Sequence, residues 1–147
     1  GYSSAASDVY KRQLYGLSYP KEPKLSELPL TEQIYVAQKK AIEEAAKRGS
    51  CVFIGRCADY ILRSRPDVLR VFVYADRDIR LRRAIDEYGD LEEHIDEFMH
   101  QTDKRRRIYY ENYTNQRWGD RENYDLMLNS GDLGIEKCVE LICQAVK

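Results

Sequence analysis

CVFIGRCADYILRSRPDVLRVFVYADRDIRLRRAI, residues 51–85, switches twice between strand-like and helix-like patterning. Residues 51–55 (CVFIG) form a short uncharged run with β-branched residues and a closing glycine, which predicts a buried strand. RCADYILRSRPD, residues 56–67, predicts a short helix that stops before Pro66, because the residue ahead of a proline is pushed out of the helical region. Residues 69–75 (LRVFVYA) predict a second strand. Residues 76–89 (DRDIRLRRAIDEYG) predict a helix entered at Asp76 or Asp78 and closed by Gly89. Strand, helix, strand, helix in that order indicates an α/β fold with a mostly parallel sheet.

The flanking sequence extends the same alternation. Upstream, LTEQIYVAQKKAIEEAAKRGS (30–50) predicts a helix with Thr31 as N-cap, Ile34, Ala37, Ala41 and Ala45 along one face, and Gly49 as its stop. Downstream, residues 91–117 are long, polar and helical in pattern, as in a helical hairpin. NYDLMLNS (123–130) predicts a third strand. LGIEKCVELICQAVK (133–147) predicts a closing helix with Ile135, Val139, Ile142 and Val146 on one face. The first thirteen residues have no period and read as disorder; they also resemble a translated cloning remnant and are set aside. Residues 14–30 hold three of the four prolines and predict an extended connector. Residues 31–147 then form one α/β domain.

Composition narrows the function classes. The 147 residues carry 24 Lys+Arg against 25 Asp+Glu, a net charge of −1, whereas a dedicated duplex-binding domain is usually clearly basic. No apolar run is long enough for a membrane span, and no secretory signal pattern opens the chain. Cys51, Cys57, Cys138 and Cys143 form no CxxC pair and read as small core residues of a reducing, cytoplasmic setting. His94 and His100 lie far from them, so no metal site is expected.

Ligands of parallel sheets bind beyond the carboxyl ends of the strands, which here are Gly55-Arg56, Ala75-Asp76 and Asn129-Ser130-Gly131. An arginine directly after a strand can grip a phosphate with its planar fork; Arg56 equally suits a surface position paired with Asp59. Arg80 and Arg83 share a helical face, where two guanidiniums need an anion or carboxylates such as Asp76 and Asp78 between them. In DKRRRIYYENYTNQRW (103–118), Asp103 and Arg106 stand three apart. That pair suits a ribose–phosphate ligand, and it is also a plain i, i+3 ion pair. The same stretch interleaves basic and aromatic residues, so an alternative reading is a nucleic-acid-binding or non-catalytic interaction module. Asp103, Glu111, Asp120 and Glu122 interrupt any phosphate track and make nucleic acid the weaker partner.

Three ordered pieces, GRCAD, DKxRxxYYxxYT and WGDxxNYDLxLNS, resemble the cytidylate-kinase-like family of P-loop nucleoside-monophosphate kinases. The resemblance runs from about Leu28 to the C-terminus. It implies a P-loop kinase-like parallel sheet with flanking helices and a helical lid at about 90–118, and ATP- and Mg2+-dependent phosphoryl transfer to a CMP-like nucleoside monophosphate. By that resemblance Arg56 and Arg106 hold the acceptor phosphate, Asp103 meets the ribose, and Arg80 and Arg83 stand at the start of the lid that closes over ATP. Arg80, Arg83 and Arg106 then carry the catalytic charge, and the tyrosines and Trp118 pack the lid.

Two departures stand out. Cys57 occupies the position where cytidylate kinases proper carry a base-reading aspartate, with Asp59 a turn away as a substitute. No G-x-x-x-x-G-K-[ST] occurs in the chain. The family places that loop on a first strand in mid-sheet, so the chain reads as a C-terminal portion truncated of its first strands and inactive by itself. The strands at 51–55 and 69–75 are expected either to keep unpaired edges or to pair directly.

Overall fold

The computed structural model describes residues 24–88 and 94–146. Residues 1–23, which hold the remnant-like segment and the start of the connector, lie outside that range, as does Gly89. After a 3-10 turn at Leu25–Glu27, the elements are α1 (Leu30–Arg48), α2 (Ala58–Ile61), β1 (Val71–Tyr74), α3 (Arg77–Tyr88) and α4 (Ile95–Thr114). A second 3-10 turn (Arg121–Asn123), β2 (Leu126–Asn129), α5 (Ser130–Leu133) and α6 (Ile135–Ala145) complete the order.

The α/β class holds, with a small parallel sheet. β1 and β2 pair in register, Val71 against Leu126 through Tyr74 against Asn129. Two strands make a marginal sheet, and an arginine braces each end of this one. At the entrance, Arg70 holds Asp125 through Nε (3.1 Å) and Nη2 (2.9 Å), and its backbone N–H donates to the same carboxylate at 2.8 Å. The brace at the exit belongs to the candidate site.

The predicted strand at 51–55 does not form. The segment has no regular structure, no described strand pairs with it, and β1 pairs with β2 alone. Phe53 packs onto the core, while Val52 and Ile54 stand 89% and 91% exposed. The pattern supplies strand propensity, yet a ladder needs a neighbour. Direct pairing of 51–55 with 69–75 is likewise not realised.

The core is helical. Tyr35 and Ile42 of α1, Cys57, Ala58, Ile61 and Leu62 around α2, and Tyr110 and Tyr113 of α4 form its buried cluster. Tyr35, only 1% exposed, stacks on Tyr113 with ring centroids 4.2 Å apart and planes 4° from parallel. The stripe of α1 that is buried is therefore Tyr35–Ile42, seven residues apart, and not the Ile34–Ala45 stripe; Ile34, Ala37 and Ala41 are exposed. A seven-residue step is two helical turns, so one large aromatic at Tyr35 draws its own face inward against the alanines. The helix also starts two residues earlier than expected, at Leu30 after Pro29, so Thr31 is not its cap.

The expected helical hairpin is instead a single 20-residue helix, α4, ended by Asn115 in a left-handed conformation. The closing helix divides at Gly134 (φ 80°) into α5 and α6. Its predicted apolar face is largely uncovered: Ile135, Val139 and Val146 are exposed, and Cys138 is the buried residue. No described helix is long and apolar enough to cross a membrane.

The cysteines divide in the same way. Cys57 and Cys138 are buried, but Cys51 and Cys143 are exposed, so only two are core residues. Burial, then the nearby Asp59, pushes the Cys57 thiol up to about 12 against the opposing pull of Arg56. It therefore stays protonated throughout neutral pH, and only the thiolate alkylates. Iodoacetamide at pH 8 should label Cys51 and Cys143 in the native chain and leave Cys57 and Cys138 unmodified until denaturant is added, as read by mass spectrometry.

Candidate active site

The candidate residues gather along α4. Its C-terminal half is anchored by Tyr110 and Tyr113, and Arg106 and Asp103 continue the same stripe one and two turns toward its N-terminus. The helix leaves the core there, and the stripe changes from buried tyrosine to accessible charge.

Asp103 is the hub. Arg80 of α3 donates to it through Nη1 and Nη2 at 2.7 and 2.9 Å, a bidentate pair. Arg106 approaches the same carboxylate at 3.8 Å and keeps a side chain 63% exposed. A second tie between the two helices joins Arg77 to Asp96. The carboxylate beside Arg80 is thus Asp103 from another helix, and not Asp76 or Asp78. Asp78 is instead close to Arg77, at 3.6 Å.

Arg83 points to the strand ends. Its Nη1 donates to Ser130 Oγ at 2.9 Å and its Nη2 to the Ser130 carbonyl at 2.8 Å; Ser130 Oγ donates to the Tyr74 carbonyl at 3.1 Å. One guanidinium therefore braces the exits of both strands. The close fit needs Gly131, where a Cβ would fall 2.7 Å from Ile79 Cδ1 and 3.1 Å from Asn129 Oδ1. Arg83→Ala should remove these bonds from a buried serine and lower stability by about 1–2 kcal/mol in urea unfolding. An unchanged midpoint would show that the brace carries no weight.

Arg56 sits in a left-handed turn. Gly55, Arg56 and Cys57 all have positive φ (67°, 56° and 58°), and Ala58 N–H closes the turn on Gly55 O at 3.2 Å. Left-handed backbone is uncommon for residues with a Cβ. The predicted short helix accordingly begins at Ala58 and not at Arg56. Cys57 is 2% exposed and packs inward. Arg56 is exposed, and its guanidinium carbon lies 5.9 Å from the centroid of the Tyr109 ring. The expected alternative pairing with Asp59 is absent among the described ion pairs. Asp59 instead accepts from the Tyr110 hydroxyl at 2.7 Å. Burial, then that bond to Asp59, pushes the Tyr110 phenol up and keeps it a neutral donor.

Arg56 is thus the candidate guanidinium with no carboxylate partner among the described ion pairs, Arg106 has only the 3.8 Å approach to Asp103, and Tyr109, which meets Arg56, lies three residues beyond Arg106. Ser130 was marked only by its place at a strand end, and Gln38 carried no signal in the sequence; Tyr109 could have been singled out only from its i+3 step from Arg106. The aromatics of 103–118 face inward: Tyr110 and Tyr113 are 5% exposed, and Trp118 meets Phe72 edge-on at 5.7 Å. They offer no open platform for stacked bases, which weakens the nucleic-acid alternative. No group of three or more His, Cys, Asp or Glu able to hold a metal occurs among the described residues.

The cytidylate kinase-like family matches residues 2–132. This chain belongs to that family. The match begins well upstream of Leu28, where the resemblance of the motifs starts. A solved structure, an uncharacterized protein from Eubacterium ventriosum, is similar over 83% of this chain and 69% of its own, with 27% identity and a TM-score of 0.75. No curated protein matches the chain. Family membership carries a kinase-like function and nucleotide substrates in general, without naming either the activity or the substrate.

Proposed function

We propose that this chain provides the acceptor side of an ATP-dependent nucleoside-monophosphate kinase with a P-loop kinase-type sheet, and that CMP is its first candidate acceptor. The observation that carries the reading is the convergence on α4. Exposed Arg106 and half-buried Asp103 share one face of it, and Arg56, far away in sequence, arrives onto Tyr109. In this reading Arg56 and Arg106 grip the phosphate through charge-assisted hydrogen bonds. Asp103, held in place by Arg80, accepts from ribose hydroxyls through the lone pairs that Arg80 leaves open. Cys57 packs into the core and cannot face a base, so base contact falls to Asp59, oriented by Tyr110.

The donor side fits less well. Arg80 is committed to Asp103 and Arg83 to Ser130, and the sequence holds no glycine-rich phosphate cradle. The described residues therefore do not fit ATP–Mg2+. Phosphoryl transfer depends on aligning donor and acceptor and neutralising the moving charge; this chain supplies acceptor positioning only. In a cytoplasmic setting it is expected to bind a monophosphate without consuming ATP.

The test is a thermal melt with CMP, UMP, AMP or ATP–Mg2+ added in turn, followed by a coupled ADP-release assay. One monophosphate should raise the midpoint, since a ligand of the folded state stabilises it by mass action. No ADP should appear. A flat response to all four nucleotides defeats the acceptor reading, and ADP release defeats the claim of inactivity.

A further inference from the structure

We propose that Tyr109 is a positioning residue: its ring holds the Arg56 guanidinium in place for an anion, and Gln38 holds Tyr109. The proposal rests on the reading of Arg56 as an anion-binding residue and deepens it, since that reading uses Tyr109 only as the place where Arg56 arrives and gives neither Tyr109 nor Gln38 a role.

An unrestrained arginine loses rotamer freedom when it grips a phosphate, and one already parked in position loses less. Arg56 is restrained at both ends. Its backbone is fixed by three successive left-handed residues, by the closing bond from Ala58 to Gly55, and by burial of the adjacent Cys57. Its guanidinium lies over the Tyr109 ring at 5.9 Å, within range for attraction between a cation and an aromatic face.

The ring is fixed in turn. Tyr109 packs against Tyr113 at 4.8 Å and a 58° tilt, and its hydroxyl donates to Gln38 Oε1 at 2.8 Å. Burial raises the Tyr109 phenol to about 12, with Arg56 pulling the other way, so the ring is neutral and its hydroxyl is a donor. The arrangement joins α1, through Gln38, and α4, through Tyr109, to the turn at 55–57. An anion on Arg56 would then meet a side chain aimed by two helices.

The experiment follows the Arg56 Nε–Hε resonance by NMR in the full chain, assigned by its loss in Arg56→Lys. In wild type it should be shifted upfield by the ring and relax as an ordered group. Tyr109→Leu should move it to the position of a free arginine, whereas Tyr109→Phe, which keeps the ring, should retain at least half of the shift. A general loss of packing would not distinguish Phe from Leu in this way. Titration with inorganic phosphate should give an affinity about three- to fivefold weaker in Tyr109→Leu than in wild type, and within twofold of wild type in Tyr109→Phe. A wild-type resonance already at the free-arginine position overturns the proposal without any variant. So does an identical resonance in wild type and Tyr109→Leu. An ordered, shifted Arg56 that phosphate leaves unperturbed supports the positioning and defeats instead the reading of Arg56 as an anion site.

Discussion

Arg106→Ala should weaken CMP binding by about ten- to a hundredfold and leave the fold intact. Hydrogen bonds between a guanidinium and a phosphate contribute about 1.5–3 kcal/mol, which sets that range. The fold should tolerate the change because the Arg106 side chain is mostly exposed and its nearest carboxylate partner is 3.8 Å away. Arg105 and Arg107 are the internal controls. They are adjacent in sequence and equally exposed, but they point to other faces of α4, with Arg105 bonded locally to Thr102 at 3.2 Å. Alanine at either position should change CMP affinity by less than about twofold, the scale of a screened surface charge. Calorimetric titration of the three variants decides the matter. Equal losses at 105, 106 and 107 would mean that the cluster attracts any polyanion, and the nucleic-acid reading would regain ground.

The second large effect is on stability. Tyr113→Ala should cost about 3–4 kcal/mol, because deleting a buried aromatic removes its transfer energy and leaves a cavity. Tyr113 stacks on Tyr35, packs against Tyr109, and its hydroxyl donates to the Thr31 carbonyl at 3.3 Å, so it joins α1 to α4. Tyr35→Phe should do the opposite. The Tyr35 hydroxyl is buried and has no hydrogen-bond partner among the described residues. Removing it takes away an uncompensated desolvation cost and should raise stability by up to about 1 kcal/mol. Urea unfolding of both variants measures the contrast. A clear loss in Tyr35→Phe would show that the hydroxyl is satisfied after all, and a loss under 1 kcal/mol in Tyr113→Ala would displace the stack from the centre of the core.

Local chemistry sufficed for much of this protein. The apolar runs that become β1 and β2, the glycine that ends α1, and the helical period of α3, α4 and α6 are written in neighbouring residues, because propensity and periodicity are short-range properties. The ordered set GRCAD, DKxRxxYYxxYT and WGDxxNYDLxLNS was enough to indicate the family, and the i, i+3 spacing of Asp103 and Arg106 placed them on one face. Other features depended on partners distant in sequence. CVFIG has the composition of a strand but stays unpaired, since a strand exists only where another backbone completes its ladder. By spacing alone Arg80 and Arg83 are equals on one face of α3. Tertiary packing sends the first to Asp103 of α4 and the second to Ser130 at the exit of β2, partners far apart in sequence. The same packing turns the tyrosines of the basic stretch inward and brings Gln38, Tyr109 and Arg56 together from three separate segments. Their meeting depends on how α1 and α4 cross around the turn at 55–57, which no local stretch of sequence encodes.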